Sequence, residues 1–370
     1  MCVDVQTIEV ALPGRAYPID IGAGALSRLG GRLRERCDAG RATVITDANV
    51  GSLYADKVAG ALASSGIEHD VLTVPPGDAS KSLAQAALLY DELARRRQDR
   101  REPIIALGGG MVGDLAGFVA GTWLRGVPFV QCPTTLVADV DASVGGKTAV
   151  NHPAGKNMVG VFHQPIMVCI DVDCLQTLSR RDYIAGLAES VKHAVIRDAA
   201  LFDWHEAHHA DIHAGAPNVV RELIRRNCEN KAAVVIADER ETAERGVGRA
   251  ALNFGHTIGH ALEVQSEYGL RHGEAVSLGM VAAMDLAVRH CGFTEADRAR
   301  VESLLGRLGL PVRAPRPIDM ADILNRLGAD KKVRDRTVRF VLPVRIGEVE
   351  WRDAPVAEDV ERAIRRLMGS

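Results

Sequence analysis

The sequence predicts an α/β fold in which an amino-terminal Rossmann-like domain with a parallel sheet is followed by a mostly α-helical domain. Three observations support this prediction. Short β-branched runs alternate with longer amphipathic stretches in the first half of the chain, as in a parallel sheet that helices cover on both faces. After about residue 175, long helical periodicity replaces this alternation. A chain of 370 residues is also long enough for two domains.

The individual elements follow from these patterns. The strand-like runs of the first half are ATVIT (42–46), VLTV (71–74), IIAL (104–107), VPFVQC (127–132) and MVCIDV (167–172). Helical periodicity covers 179–209, 218–237, 250–264, 272–290 and 295–308, and a late strand-like run, TVRFVLPV, covers 337–344. No linker of Gly, Ser or Pro marks the junction, so we place the boundary where the pattern changes, with domains of 1–175 and 176–370.

Composition and charge favour a protein that acts on small molecules. The chain has 45 Lys and Arg against 48 Asp and Glu, a net charge of −3, without a basic tail. This balance gives no electrostatic support for binding to nucleic acid or a membrane surface. The most apolar run, 104–119, contains Asp114 and five glycines, which a membrane span would not tolerate. The amino terminus does not have a signal-peptide layout, so we expect a cytoplasmic protein.

A glycine-rich loop follows the strand-like run IIAL. The segment IIALGGGMVGDLAGF is expected to form a strand, a glycine turn and a helix that begins near Asp114. Backbone N–H groups at such a turn can bind a pyrophosphate, whereas the negative charge of Asp114 argues for a tight turn without a ligand. Asp47 also has two interpretations, because its carboxylate would suit either a ribose diol or the start of a helix.

A second candidate region is the polar, glycine-rich stretch 133–160. It is predicted to be a long loop, and its lysines beside glycines suit a substrate phosphate. The alternative is a solvated surface loop. Its candidate polar residues are Thr134, Thr135, Asp141, Lys147, Asn151, Lys156 and Asn157.

Histidines and a carboxylate in the second half suggest a metal site. His256 and His260 are spaced i, i+4 on one predicted helix, which suits a divalent metal. Thr257 stands where a metalloprotease would have its glutamate, so proteolysis is disfavoured. His272 and Glu189 are further candidate ligands, with Lys192 and His193 on the same predicted helix as Glu189. The alternative for each histidine is a hydrogen-bonded structural role, and His205, His208, His209 and His213 are predicted to lie on an exposed helix surface.

Taken together, these motifs resemble the 3-dehydroquinate synthase family of sugar-phosphate cyclases. The resemblance runs in order from about residue 17 to 350, and it rests on GGGMVGDLAGF, PTTL, VDASVGGKTAVNHPAGKNMVG, AGLAESVKHA, ADERE, LNFGHTIGHA, HGEAV and DKK. It implies an NAD-binding α/β domain and a helical metal-binding domain, with NAD and zinc or cobalt as cofactors. It also implies a homodimer that converts 3-deoxy-D-arabino-heptulosonate 7-phosphate to 3-dehydroquinate and phosphate, the second step of the shikimate pathway of aromatic amino-acid biosynthesis.

The resemblance also implies roles for individual residues. The metal ligands would be Glu189, His256 and His272, whereas helix spacing alone pairs His256 with His260. Residues that handle protons or contact the reacting atoms would be Lys192, His260, Asp141 and Asn253. The NAD-binding residues would be Asp47, Asn49, Asp78, Lys81, Gly110, Met111, Val112, Gly113, Asp114, Thr134, Thr135, Lys147, Lys156, Cys174, Leu175, Gln176 and Thr177. The substrate-binding residues would be Arg125, from this chain or its partner subunit, Lys147, Asn157, Lys231, Arg249, Asn253, His272 and one of Lys331 and Lys332, with Lys332 preferred.

Three positions depart from the pattern of the family. Asp78 stands where Glu is common, His193 where Tyr is common, and Asp139 adds an acid before VDAS. Other functions stay open on sequence grounds. One is an aminodehydroquinate or other cyclitol-forming cyclase, another is a metal-dependent polyol dehydrogenase, and a third is a metal- or nucleotide-binding protein without catalysis. The polyol dehydrogenase would reduce NAD in net terms, whereas a cyclase would recycle it.

Overall fold

The computed structural model describes residues 5–242, 248–267, 269–329, 339–353 and 356–369. The chain forms two compact units. The first runs to Leu178 and also includes Lys231–Ile236, and the second comprises Ser179–Asn230 and the chain from Ala237 onward. The sequence-based boundary at residue 175 stays a prediction, and the grouping of Lys231–Ile236 with the first unit is a long-range feature that a linear boundary does not capture.

The first unit is built on a seven-stranded sheet. Its strands are β1 (Gln6–Val10), β2 (Tyr17–Gly22), β3 (Arg41–Asp47), β4 (Glu68–Val74), β5 (Ile104–Gly108), β6 (Phe129–Pro133), β7 (Lys147–His152), β8 (Gly155–Phe162) and β9 (Met167–Asp171), of which β7 and β8 form a separate antiparallel hairpin. The sheet order is β1-β2-β9-β6-β5-β3-β4, and every neighbouring pair is parallel except β1 with β2. The five predicted strands are thus confirmed as one parallel sheet.

Helices cover both faces of this sheet. They are α1 (Leu29–Arg36), α2 (Ala48–Ser64), α3 (Leu83–Arg95) and α4 (Gly110–Thr122). Because successive side chains of a strand point to opposite faces, Val44 and Ile105 pack in the core layer with α1 and α2. Their neighbours Ile45 and Ala106 pack in the layer with α3 and α4. Burial on both faces explains why these strands read as continuous apolar runs.

The second unit is mostly helical. Its elements are α5 (Arg180–Arg197), α6 (Ala199–Ala214), α7 (Pro217–Ala237), α8 (His256–Gln265), α9 (His272–His290), α10 (Glu295–Arg307), α11 (Met320–Ala329), β10 (Arg339–Arg345), β11 (Glu348–Asp353) and α12 (Ala357–Leu367). The helix α9 packs against α5, α8, α10, α12 and β10, and most of its residues are buried. No helix among the described residues has the length and apolar character that crossing a bilayer requires.

The structure corrects four predictions about elements. The stretch 179–209 is two helices rather than one, because Asp198 ends α5 and its carboxylate accepts the Leu201 N–H of α6 at 2.9 Å. The stretch 250–264 contains a short 3₁₀ helix before α8, since Gly255 has a φ of 78° that interrupts helical geometry. α4 begins at Gly110 rather than near Asp114. The predicted loop 133–160 contains β7 and most of β8.

Candidate active site

Three helices of the second unit bring Glu189, His256 and His272 together, and we call these three residues the metal group. The Nε2 atom of His272 lies 3.1 Å from Oε1 of Glu189, and Nε2 of His256 lies 3.5 Å from the same oxygen. Their potential ligand atoms all lie within 4.8 Å of one another. One carboxylate and two imidazoles suit zinc or cobalt, and three protein ligands leave a coordination position open for substrate.

The electrostatics of the metal group favour a cation. Burial alone would raise the pKa of Glu189, but Lys192 and the two histidines outweigh burial and hold it well below its usual range. Burial would lower the pKa of His272, yet hydrogen bonds to Glu189 and Glu263 raise it to about 9. The Lys192 ammonium forms an ion pair with Glu189, and both side chains are almost fully buried. The two carboxylates, Glu189 and Glu263, therefore favour positive charge beside His272, and Lys192 keeps Glu189 ionised, as a metal ligand must be.

Glycines let the three helices approach closely enough to form this group. A Cβ atom at Gly273, next to His272 on α9, would lie 1.8 Å from the carbonyl oxygen of Ala185 on α5. A Cβ atom at Gly279 would lie 1.9 Å from the carbonyl oxygen of Gly255, which immediately precedes α8. Both contacts are with backbone atoms, which cannot rotate away. The packing of α5 and α8 on α9 thus depends on these two glycines.

We expect Gly279→Ala to destabilise the second unit and weaken metal binding. The added methyl group must push α8 away from α9, and such overpacking typically costs about 1–3 kcal/mol. Urea unfolding of the metal-free protein and zinc titration measure the two effects. Gly306→Ala on α10 is the matched control, because its Cβ would meet no atom within 4 Å. A Gly279→Ala protein with wild-type stability and zinc affinity would contradict this account of the packing.

The structure also places His260 and Glu263 beside the metal group. His260, Glu263 and His272 form a second set whose potential ligand atoms lie within 4.8 Å of one another. The His260 ring centroid lies 5.1 Å from that of His256 and 5.9 Å from that of His272. His256 therefore belongs both to the metal group and to the pair that helix spacing suggests, His256 and His260. His272 belongs both to the metal group and to the second set of three potential ligands.

Two further predicted residues of the second unit, Arg249 and Asn253, lie in the short 3₁₀ helix before α8. Arg249 is buried, and its guanidinium donates to the carbonyl oxygen of Glu239 at 2.7 Å. Asn253 donates from Nδ2 to Glu241 at 3.3 Å. Both partners belong to the ADERE motif, which therefore positions polar side chains of the segment 248–253. Lys331 and Lys332 lie outside the described residues.

In the first unit, the carboxyl ends of five neighbouring strands carry most of the residues predicted to bind NAD, and we call this side of the sheet the cofactor edge. Parallel strands end at the same side of a sheet, where α/β proteins bind ligands. Asp47 is the last residue of β3. Lys147 and Lys156 lie instead on the β7–β8 hairpin. The other predicted residues follow β3, β4, β5, β6 and β9, and they are Asn49, Asp78, Lys81, Gly110–Asp114, Thr134, Thr135 and Cys174–Thr177.

The glycine loop at the cofactor edge fits a pyrophosphate. The residue before α4 is Gly109, which provides no side-chain cap, and an uncapped helix amino terminus suits a phosphate. The charge of Asp114 is offset by Lys81, whose Nζ lies 2.5 Å from Oδ2 of Asp114 and also donates to Asn157. Because Lys81 offsets the negative charge of Asp114, this carboxylate does not exclude a phosphate at the glycine loop.

Two carboxylates of the cofactor edge already have partners within the protein. Asp47 caps α2, since its Oδ1 accepts the N–H groups of Asn49 at 2.9 Å and Val50 at 3.1 Å. Asp78 accepts from Asn151 at 3.0 Å and lies 3.4 Å from Lys156. The capping interpretation of Asp47 is thus correct, and contact of either carboxylate with a ribose stays a prediction.

The remaining cationic candidates of the first unit differ in burial. Lys231 is buried and forms an ion pair with Asp141, which lies in a π-helical turn, Ala138–Ala142. Lys147 and Arg125 are exposed. Lys231 therefore has a carboxylate that fixes its position, whereas Lys147 and Arg125 present their charges at the surface.

Comparison with known proteins decides the family. The models of the amino-terminal and carboxyl-terminal domains of 3-dehydroquinate synthase match residues 71–185 and 186–333. This chain belongs to the 3-dehydroquinate synthase family. A 3-dehydroquinate synthase of Symbiobacterium thermophilum is 48% identical over 90% of this chain and 92% of the relative. That of Bordetella pertussis is 45% identical over 98% of this chain and 99% of the relative.

Solved structures outside the dehydroquinate branch share the fold. The 2-epi-5-epi-valiolone synthase ValA from Streptomyces hygroscopicus subsp. jinggangensis 5008, with NAD⁺ and Zn²⁺ bound, has a TM-score of 0.85 at 29% identity, covering 95% of this chain and 96% of its own. A 2-deoxy-scyllo-inosose synthase with carbaglucose-6-phosphate, NAD⁺ and Co²⁺ has a TM-score of 0.87 at 25% identity, covering 98% and 100%. A probable glycerol dehydrogenase from Sinorhizobium meliloti 1021, at 16% identity with a TM-score of 0.64 and coverage of 94% and 95%, shares the fold alone.

In this member of the 3-dehydroquinate synthase family, His205 is not on the exposed helix surface where the sequence places it. It is fully buried, and burial lowers its pKa to about 4. Its Nδ1 donates to the Leu201 carbonyl oxygen at 2.6 Å, so Nε2 accepts from Ser190, 2.7 Å away. Asn227 bridges Ser190 to His193, at 2.6 and 3.0 Å. His193, which stands where the family commonly has Tyr, therefore belongs to a buried hydrogen-bond network of α5, α6 and α7.

Sequence analysis missed Glu263 as a candidate site residue. It lies seven residues after His256 on α8, a spacing that places both side chains on the same helix face. Its carboxylate is buried and reaches His272. The spacing from His256 was the available signal, but it becomes informative only when the position of α9 is known.

Proposed function

We propose that this protein is a 3-dehydroquinate synthase, which converts 3-deoxy-D-arabino-heptulosonate 7-phosphate to 3-dehydroquinate and phosphate. The observation that carries the proposal is the metal group, which three separate helices assemble in a chain of this family. This chain is 43–48% identical to curated 3-dehydroquinate synthases but only 25–29% identical to the two solved cyclitol-forming cyclases. The higher identity supports the substrate of the dehydroquinate synthases.

The cofactors of the proposed reaction are NAD and a divalent metal, zinc or cobalt. When bound, NAD takes up and returns one hydride, and the metal lowers the pKa of a substrate alcohol as a Lewis acid. Glu189, His256 and His272 would hold the metal, and the cofactor edge with its glycine loop would hold NAD. The NAD- and metal-containing structures named above support both assignments.

The charged residues of the chain would bind and orient the substrate. The substrate carries a carboxylate and a phosphate, which require charge-assisted hydrogen bonds from cations. Fixing both anionic ends would hold the reacting carbons in position. We assign this role to Arg125, Lys147, Asn157, Lys231, Arg249, Asn253, His272 and Lys332.

Proton transfers accompany oxidation, phosphate elimination and ring closure. We assign the proton transfers to Lys192 and His260, and we assign to Asp141 and Asn253 the positioning of groups at the reacting atoms, because an amide side chain cannot donate or accept a proton as an acid or base. Lys192 would exchange a proton at Nζ beside Glu189, and His260 would do so at its imidazole, which the structure leaves exposed beside the metal group. Asp141 would orient Lys231 through their ion pair. We also propose a cytoplasmic homodimer that does not bind nucleic acid.

The net redox balance tests this proposal against a polyol dehydrogenase. With the heptulosonate phosphate, NAD and zinc or cobalt, we expect released phosphate to exceed the bound NAD many times over, without lasting absorbance of reduced nicotinamide. Glucose 6-phosphate, which does not have the carboxylate, should release none. Stoichiometric reduction of NAD on glycerol, with the heptulosonate phosphate unchanged, would overturn the proposal.

A further inference from the structure

The side chain of His272 lies between two carboxylates. Its Nε2 atom is 3.1 Å from Oε1 of Glu189, and its Nδ1 atom is 3.4 Å from Oε2 of Glu263. Glu263 is 6% exposed, and Glu189 is fully buried. Each ring nitrogen thus faces its own carboxylate, and only Glu189 lies on the side of the ring where His256 completes the metal group.

A neutral imidazole has one protonated nitrogen and one lone pair, and only the nitrogen with the lone pair can bind a metal. An ionised carboxylate only accepts hydrogen bonds. If Glu263 accepts the Nδ1–H of His272, the lone pair is therefore on Nε2, toward Glu189 and His256. Without an acceptor beside Nδ1, the proton would be free to occupy either nitrogen, and the ring would be free to rotate.

We propose that Glu263 is a positioning residue that fixes the Nδ1–H tautomer and the ring orientation of His272, so that Nε2 faces the metal group. The inference rests on the metal site of the proposed function. α8 then contributes twice to the site from one face: His256 binds the metal directly, and Glu263 supports the ligand that α9 provides. Mutation of a carboxylate that holds a metal-binding histidine in this way typically lowers metal affinity by about 10–100-fold.

The alternative is that Glu263 itself binds a metal, together with His260 and Nδ1 of His272. That arrangement would require the lone pair of the neutral His272 ring to be on Nδ1. It would then lose Nε2 as a ligand of the metal group, unless the ring gave up both protons. His260 is exposed, whereas Glu189 is fully buried and its two histidine partners are partly buried. The metal group is therefore the better site, and Glu263 is its support.

Metal titration of the full-length protein tests the proposal. Zinc affinity is measured by competition with a chromogenic chelator, and bound Co²⁺ is followed by its visible absorption. We expect wild-type protein to bind one metal per chain and Glu263→Ala to bind it about 10–100-fold more weakly with the same Co²⁺ band positions. Glu263→Gln, whose amide oxygen still accepts from Nδ1, should recover most of the affinity. Glu267→Gln, an exposed charge removal four residues later, should bind like wild type.

Three results would overturn the proposal. The first is a zinc affinity of Glu263→Ala within twofold of wild type. The second is a second metal bound per wild-type chain that Glu263→Gln does not bind, and the third is a shift of the Co²⁺ bands in Glu263→Gln, because either result makes Glu263 a ligand. If Glu263→Ala does not fold, Glu263→Gln decides through the bands. A wild-type protein that binds one metal but does not release phosphate would refute the proposed function and leave the inference intact.

Discussion

Glu189→Ala is expected to remove nearly all metal binding and turnover. Glu189 is the only anionic member of the metal group and the only one contributed by α5. Its loss also leaves the buried Lys192 ammonium without its counter-charge, beside the position of a dication. We expect metal affinity to fall by well over the roughly 100-fold that loss of an indirect partner costs. Metal content and phosphate release after dialysis against a chelator measure the two effects.

Wild-type protein treated in the same way should lose activity and regain it with added zinc or cobalt. Glu267→Ala, which removes an exposed carboxylate, should behave like wild type at every step. Full phosphate release by Glu189→Ala after chelation would contradict the assignment of the metal ligands. The helix-spacing pair His256 and His260 would then be the starting point for a different metal site.

Local sequence patterns predicted five of the seven strands of the central sheet and missed β1 and β2. β3, β5, β6 and β9 are buried on both faces, so each is a short run of apolar residues that stands out from the amphipathic helices around it. β7 and β8 were missed because both include polar side chains and neither is a continuous buried apolar run; β8 does not contain a fully buried residue. The hairpin is fixed by distant contacts, such as the Asn151 N–H with the Lys81 carbonyl oxygen at 2.8 Å.

The site shows the same division between local and distant information. The i, i+4 spacing of His256 and His260 is visible in the sequence, because both residues lie on α8. The proximity of Glu189 and His272 depends on the packing of α5 against α9 at Gly273, which spacing does not encode. Resemblance to a family suggested the set. The Lys81 partner of Asp114 and the burial of His205 were likewise invisible, because each depends on another segment.

Lys192→Met is expected to lower kcat by about 10²–10⁴-fold while leaving metal affinity equal to or higher than that of wild type. A positioned proton donor or acceptor typically contributes that factor. Lys192 is 1% exposed, and its ion pair with Glu189 places Nζ beside the metal group. Methionine fills a similar apolar volume without the charge. Because the ammonium repels a dication and competes for the Glu189 carboxylate, its removal should not weaken metal binding.

The two measurements together separate proton handling from metal holding. Glu189→Ala should lose metal and turnover together, and added metal at high concentration should restore part of the turnover. Lys192→Met should bind metal fully and stay slow at any metal concentration, since the missing group is a proton carrier. If Lys192→Met instead loses zinc in proportion to kcat, the ammonium acts by orienting the Glu189 carboxylate. The proton transfer would then have to be reassigned, with His260 as the neighbouring titratable side chain.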